Sequence, residues 1–105
     1  MKTELAEGES ILHEGPANHW KKGEAVGGGL TLTTDRLIFE SHRVNIQRHA
    51  ESYLIRRIAD LEVGTNLFII KNGLEVTFQD GAREKLVVNN PSDWIKKIKG
   101  AIGEA

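Results

Sequence analysis

Lys21, Lys22, Arg43 and Arg48 are the side chains whose type and placement give this 105-residue chain a chemistry to consider. Two ammonium groups in one segment and two guanidinium groups in another can converge on a phosphate, because phosphate recognition needs clustered cationic donors. Arg43 and Arg48 bracket Val44-Asn45-Ile46-Gln47, so they flank one phosphate-sized site only if the backbone curves between them. Residues 42 to 57 also hold His42, His49, Arg56 and Arg57 against Glu51 alone, whereas the first twenty residues hold Glu4, Glu7, Glu9 and Glu14 against Lys2. This asymmetry gives either a locally positive surface or merely the solvated ends of strands and loops. The overall net charge of −1 excludes a nucleic-acid binder held by a broad basic field.

Other chemistries lack their parts. There is no Cys, so disulfides, thiolate metal sites and a Cys nucleophile are excluded. His13, His19, His42 and His49 show neither HExxH nor helical i, i+4 spacing, and no metal is expected. Ser10, Ser41, Ser52 and Ser92 stand in no GxSxG context, and Asp60 with Glu62 reads as exposed charge on a strand face. The run Gly23 to Gly29 lacks the GxxxxGK[ST] spacing of a phosphate loop, so Gly27, Gly28 and Gly29 are expected to let a strand start, bulge or pass close to a neighbour. No enzyme and no cofactor are expected. Trp20, beside Lys21-Lys22, suits either packing over a sheet edge or a peripheral membrane contact, where indole and Lys favour an anionic interface.

The elements that must position these residues are short strands. Gly27 to Ser41 reads as a β-hairpin: Leu30 and Leu32 alternate with Thr31 and Thr33, Thr34-Asp35 supplies the turn, and Leu37-Ile38-Phe39 resumes the strand. Before it, Ser10 to Glu14 is a short strand that Gly15-Pro16 breaks, leaving Ala17 to Lys22 irregular. Val44 to Arg48 alternates, and Ser52 to Val63 is a strand with a bend or bulge near Arg56 to Ala59. Leu67 to Lys71 and Leu74 to Gln79 flank Asn72-Gly73, a two-residue hairpin turn, and Asp80-Gly81 repeats the device before Ala82 to Val88. Trp94, Ile95, Ile98, Ala101 and Ile102 form one helical stripe, capped by Asn90 and started by Pro91. At about 13 residues such a helix must be held by packing onto a sheet.

The stretch GEAVGGGLTLTTDRLIFESHRVNIQ, Gly23 to Gln47, resembles the GRAM domain of the pleckstrin-homology superfamily in its short, stand-alone bacterial form, and the likeness extends from Glu9 to Ile98. Arg56-Arg57 departs from it, since an apolar strand is expected there. The resemblance implies a mainly β fold with one C-terminal α-helix: a pleckstrin-homology-like bent antiparallel sandwich or barrel of about seven strands capped by the helix. One domain over residues 1–105, with its core at about 9–102, fits a length that buries roughly two thirds of the unfolded surface. The resemblance also implies a non-catalytic binding module whose partner is an anionic phospholipid head group, with peripheral membrane contact, or alternatively a protein, including a second copy of the chain. With no apolar run of about 18 residues and no targeting pattern, a cytoplasmic location is expected.

Overall fold

The computed structural model describes residues 4–21, 23–42, 50–66 and 70–103. Seven strands and one helix follow in order: β1 (Ile11–Lys21), β2 (Glu24–Thr33), β3 (Arg36–Ser41), β4 (Ala50–Leu54), a 3₁₀ turn at Ile55–Arg57, β5 (Ile58–Asn66), β6 (Ile70–Phe78), β7 (Arg83–Val88) and α1 (Pro91–Ile102). All ladders are antiparallel, and the sheet order is β4-β3-β2-β1-β7-β6-β5. Strand β1 therefore joins two meanders, β1 to β4 and β5 to β7. The inward faces of both supply the core, with Leu30, Leu32, Leu37, Phe39, Leu74 and Leu86 completely buried. Alternation along each strand produces this, because successive side chains point to opposite faces.

Four expectations are corrected. Gly15-Pro16 does not break the first strand, since β1 pairs with β2 through Gly15↔Leu30 and Pro16↔Gly29. The β7 ladder begins only at Ala17, so Pro16 has a strand on one side and its missing N–H is tolerated on the other. Asn72-Gly73 is not a turn either: β6 runs through it, and Gly73 pairs with Gly64 and Val87. A Cβ at Gly73 would lie 2.6 Å from the Gly64 carbonyl oxygen, so this glycine serves close backbone approach rather than positive φ. The meander accordingly runs from Ile58 to Val88, with Ile70–Phe78 as its single middle strand. Third, Asn90 starts the helix through its backbone, not its side chain. It adopts φ 60° and makes no side-chain cap bond, while its carbonyl accepts the N–H of Asp93 at 3.0 Å.

Fourth, Ser52 to Val63 is not one bent strand: the 3₁₀ turn divides it into β4 and β5, which pair with β3 and β6 and form the two opposite edges of the sheet. The turns follow expectation. Thr33 Oγ1 accepts the N–H groups of Asp35 and Arg36 and closes the β2–β3 turn. Gly81, at φ +91°, makes the β6–β7 turn together with Asp80, whose Oδ1 accepts the Ala82 N–H. The 3₁₀ turn and a register shift between Ile58 and Asp60 supply the bend near Arg56 to Ala59. It leaves Arg56 and Arg57 exposed where the family likeness implied an apolar strand. A Cβ on Gly28 would meet the Glu40 carbonyl oxygen, so this member of the glycine run is the close approach expected of it. The strand expected over Val44 to Arg48 lies outside the described residues.

Helix α1 covers one end of the core. Trp94 is 2% exposed and Ile98 wholly buried. The indole rests 4.4 Å from the His13 ring, between centroids, over a position where Gly15 leaves room.

Candidate functional site

The four expected cations are not brought together by any described contact. Lys21 ends β1 opposite Glu24. Lys22, Arg43 and Arg48 lie outside the described residues, as does His49. What the topology does show is where their segments attach. In an antiparallel β1-β2-β3-β4 meander the β1–β2 turn and the β3–β4 connection leave the sheet at the same end, so Lys21 and the strand ends Ser41 and Ala50 share it.

A cluster that sequence reasoning missed lies on the inward faces beside this end. His19 is wholly buried on β1. Its Nε2 lies 2.5 Å from Glu84 Oε1 on β7, and its Nδ1 lies 3.6 Å from Glu51 Oε2 on β4. Tyr53, two residues beyond Glu51, donates its hydroxyl to Glu51 Oε1 at 2.6 Å. Desolvation by burial holds the Tyr53 hydroxyl well above its ordinary range, reinforced by the hydrogen bond to Glu51 and the nearby Glu84 carboxylate. Tyr53 therefore stays protonated throughout the physiological range. The alternation Ala17, His19 points His19 inward once β1 is read as one strand, and the break assigned at Gly15-Pro16 hid that signal.

Glu84 and Tyr53 also line a groove of about 690 Å³. Leu54 and Tyr53 on β4, Arg57 on the 3₁₀ turn, Phe78 at the end of β6 and Asp80 in the β6–β7 turn complete its main walls. Tyr53 and Phe78 are both among its lining residues, with ring centroids 5.1 Å apart. Among the described residues, no group of three His, Asp or Glu side chains suits a metal ion.

A second ionic cluster sits at the opposite end of β1, by the β2–β3 turn. Glu9, whose side chain is wholly buried, accepts two bonds from Arg36, Nε to Oε2 at 2.9 Å and Nη2 to Oε1 at 2.8 Å. Thr33 Oγ1 and the Ala6 N–H donate to the same carboxylate. The Arg36 bonds, then the Thr33 bond, hold the Glu9 carboxyl down at about 2, and the same pairing raises Arg36. Every lone pair is used, so this cluster is a latch with nothing left for a ligand.

Trp20 lies within β1, between Ala25 of β2 and Lys85 of β7, on the face opposite His19. It is half-buried, and among the described residues its Nε1 finds no partner. It therefore stands in a central strand rather than in the irregular connection beside a sheet edge that was expected for it.

The described strands and helix are those of a pleckstrin-homology-like fold. The chain superposes on the C-terminal domain of an unknown protein from Leishmania infantum with a TM-score of 0.78 at 16% identity, covering 91% of this chain and 86% of that one. It is likewise similar to the Vps36 N-terminal PH domain, with a TM-score of 0.73 and 14% identity over 96% of this chain and 87% of that chain. An N-terminally truncated linker-DH/PH fragment of p115-RhoGEF matches with a TM-score of 0.72 and 19% identity over 95% of this chain, which spans 31% of that fragment. No sequence-family profile and no curated protein matches.

Proposed function

We propose that this chain is a non-catalytic binding module of the GRAM type, one domain over its 105 residues, that takes an anionic phospholipid head group through Lys21, Lys22, Arg43 and Arg48. One observation supports this reading: the described strand ends Lys21, Glu24, Ser41 and Ala50, between which Lys22, Arg43 and Arg48 fall in sequence, lie toward the same end of the β1 to β4 meander. Clustered cations gain about 1 kcal/mol each near an anionic leaflet, so a local patch suffices despite the net charge of −1. Among the described residues no helix is long and apolar enough to cross a membrane, and the contact proposed is peripheral, at a cytoplasmic surface.

Co-sedimentation with vesicles of graded phosphatidylserine content at two salt concentrations tests it. Binding is expected to rise with anionic content and fall with salt, and the double variant Arg43→Glu, Arg48→Glu is expected to abolish it without changing the melting temperature. Indifference to anionic vesicles at low salt would sink the lipid reading. The alternative, a protein partner, is favoured by a separate observation, the groove between β4 and the β6–β7 turn.

A further inference from the structure

We infer that the groove beside β4 is a receptor for an arginine side chain of a protein partner. Its size, about 690 Å³, falls within the range of small-ligand sites. Its chemistry is that of a cation acceptor. Tyr53 and Phe78 supply aromatic lining, Glu84 and Asp80 supply carboxylates to the same groove, and Glu51 stands one hydrogen bond behind Tyr53. Arg57, exposed at the rim, is the groove's one basic lining residue among those described. A guanidinium stacks on an aromatic face and forks onto a carboxylate, so it uses both features where a lysine ammonium uses them less fully. An anionic head group meets the wrong sign here.

The position supports a peptide rather than a free cation. β4 ends the sheet, with β3 as its ladder partner among the described strands, and its residues Ser52, Tyr53 and Leu54 line the groove. An extended segment laid along that edge gains main-chain hydrogen bonds while its side chain enters the groove. The acidic groups are held ready: Glu84 is fixed by His19 and Asp80 by the Ala82 N–H.

The test is titration of the whole chain with an acetylated, amidated tetra-arginine peptide, followed by amide NMR shifts and calorimetry. Shifts are expected at Tyr53, Ala82 and Glu84. Asp80→Asn keeps the oxygen that accepts the Ala82 N–H and removes only the charge, and it is expected to weaken binding about tenfold. Arg57→Gln removes the repelling cation and is expected to tighten binding about threefold. These opposite signs cannot arise from a common loss of folding. Shifts confined to the acidic segment Glu4 to Glu14, equal affinity for tetra-glutamate, or Arg57→Gln weakening the complex would each overturn the assignment. Phosphatidylcholine vesicles that displace the peptide would overturn the choice of a protein partner in favour of a membrane-borne quaternary ammonium.

Discussion

The two ends of β1 bury charge in opposite ways. At the end near the β2–β3 turn, Glu9 takes four hydrogen bonds from Arg36, Thr33 and Ala6, and the neighbouring opening is filled by Trp94. At the other end, His19 is locked between Glu51 and Glu84, but those carboxylates keep about a fifth to a quarter of their side-chain surface, 22% and 24%, in contact with solvent. A buried charge with every bond made can only hold the fold together, whereas one left partly open beside a groove can still meet a ligand. The first end has the form of a structural latch, and the second borders the groove proposed above for recognition.

Substitutions at each end sharpen this division. The largest effect is expected from Trp94→Ala, which should cost about 3 to 5 kcal/mol in chemical denaturation because it empties the helix end of the core. A near-silent variant would break the comparison at its root. Next, Glu9→Gln should cost about 3 kcal/mol by removing the buried carboxylate charge opposite Arg36 and one of the two oxygens that accept its bonds. It should also change the acid response. The fold holds the Glu9 carboxyl at about 2, below its ordinary 4.5, so its stabilisation is complete above pH 4.5 and is lost as pH falls toward 2. The Gln variant should show less loss across that window, and an unchanged acid transition would exclude the latch. The smallest effect is expected from Tyr53→Phe, about 1 kcal/mol, since it deletes one hydrogen bond to a carboxylate that stays in reach of water. A loss as large as that of Glu9→Gln would mean that the groove end is structural too.

The sequence made the fold legible where period and turn chemistry agree. Leu30, Leu32, Leu37 and Phe39 alternate on either side of a polar turn, and the Trp94 and Ile98 stripe has helical spacing, so both elements appear as read. It misled where one residue type serves two geometries. Gly15-Pro16 and Asn72-Gly73 are common turn pairs, yet both lie inside paired strands, because a proline with one open side and a glycine facing another glycine satisfy a ladder equally well. The candidate site was hidden for a related reason. His19, Glu51, Tyr53 and Glu84 are scattered over three strands, and only the register places them together. Charge counting along the chain finds neighbours in sequence, and these are neighbours across the fold.

Strand β1 carries one more consequence. Its ladder with β7 joins Ala17 to Val88, near opposite ends of the chain, and it is the strand pairing that unites the two meanders. Closing so long a loop is entropically slow, so the N-terminal meander must wait with one flank of β1 uncovered until β7 has left the ribosome. During synthesis that flank is a strand edge open to other chains. The glutamates at the start of the chain and the proline in its first strand thus stand where a half-made molecule most needs charge and an imperfect edge to stay apart from its neighbours.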